Sequence, residues 1–359
     1  MNRLFEESRY TLEPCILSEF YDLMRFLDNA FAKPDKRWFE KNYAHIFQHS
    51  EKSVECHKIC RSDGVIAGAI GIYPLALKLG SSVLNVGGIG SVSVGPDFRG
   101  RGIMSKMIPA AICLMENAGY DISWLGGDRF RYRNHGWDIA GRKQDYHIST
   151  KDLSRYLPSL QPSTTVTARE KHIDRLSSLY ARYYSTVFRS NQSWAIQLKR
   201  PTLVWLLGTG PSGDAYLAHY KGEPKSIVDI QGENADAVTA LLMAHLKKQK
   251  ITQCIVSYPQ HNDPVSHRLA YCSAWVNSCP NGQIKIINTD SCWEKILPEI
   301  KKNYRGKSSL DIVKSESQRQ AVLNRTFGHL DFTPPLPGAL KPLEDLKPLN
   351  WWMSMVDQV

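Results

Sequence analysis

The sequence predicts a mixed α/β protein in which two central mixed sheets are flanked by helices. Two long runs of small and branched residues, 64–78 (GVIAGAIGIYPLALK) and 82–95 (SVLNVGGIGSVSVG), read as neighbouring strands. From Ile103 to Ala118 the positions of Met104, Met107, Ile108, Ala111, Ile112 and Met115 follow helical spacing, and Gly119 supplies the stop. A strand, turn, helix and strand over 214–257 then echo that order.

Along the chain, residues 9–14 read as a first strand, and Phe20, Leu23, Met24, Phe26, Leu27 and Phe31 give 17–32 a helical face. A second helix follows Pro34-Asp35, with Trp38, Phe39, Tyr43 and Phe47 as its apolar positions. Residues 53–60 alternate as a strand. After the helix at 103–118, which Pro109 should kink, come strands at 121–126 and 137–148. The stretch LPSLQPSTTV (157–166) reads as a linker. Residues 167–209 are helical in character, 214–220 and 226–231 are strands, 234–248 is a helix and 252–257 a strand. Beyond about 288 a helix, SCWEKILPEIKKNY, leads into a Pro- and Leu-rich tail whose Trp, Leu and Met must pack on something. The expected divisions are 1–150, 151–287 and 288–359.

Hydrophobic residues make up 42% and charged residues 22% of the 359, which suits packed cores rather than a disordered chain. No apolar run approaches the ~18 residues of a membrane span. The start, MNRLFEESRYTLEPC, lacks the apolar stretch of a signal peptide, so a cytoplasmic protein without a membrane partner is expected. The eight cysteines show no tight pairing pattern. Cys56-His57-Lys58-Ile59-Cys60 looks ligand-like but has no second ligand pair, so reduced thiols are expected rather than a metal site. The net charge of +10 is uneven, with 19 Lys/Arg against 17 Asp/Glu in 1–150 and 26 against 18 in 151–359. Such a balance favours anionic partners without choosing among nucleotides, phosphorylated cofactors and nucleic acid.

Between the second long strand and the main helix lies VGPDFRGRGIM (94–104). A strand running into a Gly-rich turn and then a helix offers backbone N–H groups at the positive end of the helix dipole, which suits a diphosphate. Gly100 and Gly102 let the chain approach a ligand closely, while Arg99 and Arg101 add charge. The turn has no Lys-Ser/Thr of a nucleotide P-loop and does not fit the GxGxxG dinucleotide fingerprint.

It does resemble the acetyl-CoA turn of the GNAT superfamily (Gcn5-related N-acetyltransferases), Arg/Gln-x-x-Gly-x-Gly/Ala, with Arg99, Gly102 and Met104 in its frame. Met104 departs from the Gly or Ala of that pattern. Val92, Ser93, Val94 and Pro96 match the strand that pairs with the pantetheine arm, and FRYRNHGW matches the family's Tyr-x-x-x-Gly-aromatic turn. These matches cover about residues 64–142. The rest of the chain resembles the Eis-like branch, which implies tandem GNAT-like domains: a catalytic one at 1–150 and a degenerate one at 151–287. The latter's turn, IQGENAD, has no arginine. A short sterol-carrier-like module at 288–359 would then bring its tail near the active site.

The resemblance implies acetyl-CoA as acyl donor, held by Val92, Ser93, Val94, Arg99, Gly100, Arg101, Gly102, Ile103 and Met104. Direct aminolysis of a thioester needs a neutral amine, a donor to the carbonyl oxygen and a proton for the departing thiolate. Tyr132 occupies the position of the general acid, four residues before Gly136. The carboxylate of Val359 and the imidazole of His135 are the two candidates for the base. The RFRYR cluster (129–133) either holds the 3′-phosphate of CoA or is solvated. The expected function is an N-acetyltransferase acting on an amine of a small molecule or on lysine. Two other readings stay open: a Fem-type aminoacyltransferase using aminoacyl-tRNA, which would suit the basic C-terminal part, and a non-catalytic acyl-CoA-binding protein. Related proteins form homo-oligomers, but no segment states a stoichiometry, and nucleic acid is not the expected partner.

Overall fold

In chain order the strands of the computed structural model are β1 (Leu12–Pro14), β2 (His57–Ser62), β3 (Val65–Leu79), β4 (Ser82–Val94), β5 (Ile122–Leu125), β6 (Asp138–Ile139), β7 (Lys143–Ser149) and β8 (Thr164–Thr167). They continue with β9 (Ser185–Val187), β10 (Leu203–Thr209), β11 (Ala215–Tyr220), β12 (Ser226–Gly232), β13 (Gln253–Pro259), β14 (Ser273–Cys279) and β15 (Gln283–Ile286). The structure describes residues 12–33, 35, 37–306, 308–329, 335–349 and 351–358.

These strands form two mixed sheets. The first has the order β1-β2-β3-β4-β5-β15-β6, with β9 also paired to β3; the second runs β14-β7-β13-β12-β11-β10-β8. Each sheet has one parallel pair, β4 with β5 and β12 with β13. In the first sheet the small residues of β3 and β4 let the helix Ile103–Asn117 lie close. A Cβ added at Gly68 would come 2.9 Å from the sulfur of Met107, and one at Gly87 would come 2.5 Å from that of Met115. This helix runs unbroken through Pro109. Among the described residues no helix is long and apolar enough to cross a membrane.

Several elements differ from the sequence reading. Residues 51–54 are a short helix, and the strand expected over 53–60 begins only at His57. The strand expected over 137–148 is two: β6 stays in the first sheet, while β7 crosses into the second between β14 and β13. In exchange, β15 returns to the first sheet between β5 and β6. Within 167–209 the helices Ile173–Tyr180 and Asn191–Lys199 are joined by β9 and followed by β10. The sequence of β10, LVWLLGT, is a continuous apolar run whose periodicity does not separate a buried strand from a helix.

The C-terminal part contributes the helices Thr289–Asn303 and Glu316–Phe327 and, among its described residues after Asn288, no strand. Ile296, Leu323, Phe327, Leu340 and Trp351 share one core with Leu77, Leu84, Val86 and Ile122 of the first sheet. The C-terminal helices and tail thus pack into the first sheet's core.

Candidate active site

Strand β4 pairs in parallel with β5 from Val86↔Ile122 to Ile89↔Leu125, where β5 ends. From Gly90 to Val94, β4 has no strand partner on that side among the described residues, so the sheet opens there. A bulge sits at the same point: Ala69 pairs with Ser93 and Gly71 with Gly90, leaving Ser91 and Val92 opposite Ile70 alone. Ser91 adopts a left-handed φ of 55°. Bulges of this kind re-aim side chains beside functional sites.

The chain then turns into the helix Ile103–Asn117. Gly100 and Gly102 have φ of 77° and 74°, which disfavour any side chain, and nothing lies within 4 Å of where a Cβ would be. Gly102 is the N-cap and supplies no side-chain cap. The helix therefore begins without a side-chain cap and with open space beside both glycines, an arrangement suited to receive an anion. Both neighbouring arginines are exposed and bonded to nearby carbonyls: Arg99 to Ala30 O (3.2 Å) and Arg101 to Asp97 O (2.9 Å). Ile103 packs with Val94 in one apolar cluster.

Tyr132 lies on the short helix Arg129–Arg133, whose N-cap Asp128 accepts from the N–H groups of Phe130 and Arg131. It shares an apolar cluster with Ile89, Leu125 and Trp137, on which Val92 and Met104 also pack. The structure thus brings Tyr132 to the place where β4 and β5 part. Burial pushes its phenol above the usual range, so it carries its proton at neutral pH. His135 follows in the next turn, half-buried, with its N–H on Tyr132 O at 2.9 Å. Arg129 and Arg133 both face Asp138, at 2.8 and 3.8 Å.

A cavity of about 490 Å³ opens beside β3 and β9 of the first sheet. His45, Cys56 and Tyr73 line it from the first part of the chain, and Arg189, Gln197 and Asp357 from the rest. The C-terminal tail reaches it by a tightly held path. Ser185 Oγ bonds Trp352 O and receives the Trp352 N–H; Asn281 accepts from Met353 N (2.7 Å) and donates to Met353 O (3.1 Å). Asp357 makes two 2.7 Å bonds to Arg189, whose second carboxylate partner is Asp229 at 2.8 Å. Burial works against the charge on Arg189, and the two carboxylates outweigh it. Gln358 O faces His45 Nε2 at 3.5 Å, and burial lowers that imidazole to about 3, so it is neutral. Val359 lies outside the described residues. Neither Tyr132 nor His135 lines the cavity.

The sequence reading weighed His57 only as a metal ligand and passed over its partners Tyr73 and Ser91. His57 Nδ1 is 3.0 Å from Ser53 O; Tyr73 Oη is 3.1 Å from His57 Nε2 and 2.9 Å from Ser91 Oγ. Tyr73 was visible as the single aromatic in β3, two residues after Gly71 on the same face. A Cβ at Gly71 would collide with the Tyr73 ring.

Comparison with known proteins agrees with this architecture. Residues 14–140 match the acetyltransferase (GNAT) domain family. No curated protein matches the chain. Among solved structures, a GCN5-related N-acetyltransferase from Anabaena variabilis aligns at TM-score 0.61 and 17% identity, covering 80% of this chain and 75% of that one. One from Kribbella flavida aligns at 0.60 and 17%, covering 77% and 71%. Eis1 from Mycobacterium abscessus aligns at 0.55 and 14%, covering 79% and 74%. The chain has the fold of GNAT acetyltransferases, Eis1 among them, and its match to the GNAT domain spans residues 14–140.

Proposed function

We propose that the chain is an acetyl-CoA-dependent N-acetyltransferase acting on an amine of a small molecule or on lysine. The observation that carries this reading is the open, uncapped start of the helix Ile103–Asn117, set where β4 parts from β5. The N–H groups of 102–104 and the space beside Gly100 and Gly102 suit a diphosphate. Val92, Ser93 and Val94 offer an unpaired strand edge for the pantetheine arm, and Arg99 and Arg101 supply positive charge. The donor brings the acetyl thioester; the chain's own groups place it and move protons. Tyr132, buried in the apolar cluster on which Val92 packs and proton-bearing, is the acid for the leaving sulfur. The acceptor enters through the cavity, and its proton goes to the carboxylate of Val359 or to His135. The burial of Trp351 and Trp352 and the approach of Asp357 to the cavity support the former.

Isothermal calorimetry with acetyl-CoA tests the reading. One equivalent should bind per chain, and Gly102→Glu, which puts bulk and negative charge beside the helix start, should abolish binding with the fold retained. An unchanged dissociation constant in that variant would sink the cradle. Thermal shift with acetyl-CoA should raise the melting temperature; a rise with tRNA and none with acetyl-CoA would favour the aminoacyltransferase reading.

A further inference from the structure

We propose that Tyr73 is the hydrogen-bond acceptor that receives the attacking amine of the acyl acceptor, and that His57 is the positioning residue that aims it. This rests on the acyltransferase reading above. The proton assignments follow from the partners. A carbonyl only accepts, so the 3.0 Å contact with Ser53 O places the imidazole proton of His57 on Nδ1. Burial keeps His57 neutral by lowering it to about 4, so Nε2 holds a lone pair and takes the one proton of the Tyr73 hydroxyl. With that proton committed, the 2.9 Å contact to Ser91 has Ser91 as the donor. The phenol oxygen is left with one unused lone pair and no proton to offer.

Its position gives that lone pair a use. Tyr73 lines the cavity, whereas its partner Ser91 lies on the β4 bulge where the sheet opens. The phenol therefore spans the distance between the space for the acceptor and the strand edge proposed for the donor. An amine entering neutral can give one N–H to Tyr73 Oη and keep its own lone pair for the acyl carbon. A protonated hydroxyl free to rotate would instead donate to that nitrogen lone pair and block attack, which is why the His57 contact matters.

Acetohydroxamate formation from acetyl-CoA and hydroxylamine, a small amine that is neutral at pH 7, tests this without knowledge of the natural acceptor. The wild-type chain should exceed the uncatalysed rate. Tyr73→Phe should lose about tenfold or more in kcat/KM for hydroxylamine, the scale of one hydrogen bond to a reacting group, with the acetyl-CoA dissociation constant unchanged. His57→Leu should fall in the same direction, and His57→Gln, whose amide oxygen can accept the same proton, should recover part of the loss. Full activity in Tyr73→Phe overturns the proposal and leaves the acyltransferase reading intact. So does a wild-type chain that binds acetyl-CoA but does not accelerate hydroxamate formation. Failure of the wild type to bind acetyl-CoA is the separate outcome that removes the acyltransferase reading itself.

Discussion

Two helices of fifteen residues, Ile103–Asn117 and Ala235–Gln249, each start just past a strand that has a parallel neighbour, yet their first turns are finished in opposite ways. In the first, Gly102 supplies no side-chain cap and has open space beside it. In the second, Asn234 Oδ1 accepts from Ala237 N at 2.8 Å, and Glu233 accepts from Asp214 N at 2.9 Å while pairing with Arg175. The Arg175 guanidinium holds the Glu233 carboxyl below its usual range. A built-in carboxylate thus stands near the second helix start, where the first leaves room for a ligand.

The gaps between the strands differ in the same sense. Pairing of β12 with β13 covers only Ser226↔Ile255 and Ile227↔Val256. Beyond it, Asp229 receives bonds from Arg189, Ser354 and Tyr216, and the rings of Tyr183 and Trp352 meet at 4.9 Å. The second opening is filled by the protein's own side chains and tail.

The largest effect is expected where that filling is ionic. Arg189→Leu leaves Asp229 and Asp357 buried without their cation, and breaking such a pair costs about 3–5 kcal/mol. Chemical denaturation should register it, and a loss under about 1 kcal/mol would mean that packing alone closes the second gap. In the first gap, Tyr132→Phe removes only the phenolic hydroxyl. General acid catalysis is worth about 10²–10⁴ in rate, so turnover should fall at least tenfold at unchanged acetyl-CoA affinity; full activity moves the acid elsewhere. Extending the chain past Val359 by two glycines shifts the terminal carboxylate by up to ~7 Å. Turnover should drop severalfold with little change in melting temperature, because Trp351 and Trp352 stay buried; full activity would make His135 or a water chain the base. The smallest effect sharpens the contrast of caps. Asn234→Ala should cost about 1 kcal/mol of stability without creating a second acetyl-CoA equivalent, and calorimetry showing two would refute the assignment of the second unit as closed.

What could be read from the sequence was local. Helical spacing from Ile103, the turn chemistry of Gly100 and Gly102, and the place of Tyr132 before Gly136 are set within a few residues, where dihedral preference and the helix dipole act. What the tertiary structure decided was long-range. The exchange of β7 and β15 between sheets depends on which edges are free once both sheets exist. The Tyr73 bonds join residues 16 and 18 positions apart across a bulged register, and Arg189 meets Asp357 across 168. No residue in those pairs carries a local mark of its partner, because their bonds exist only after apolar burial has brought the strands and the tail together.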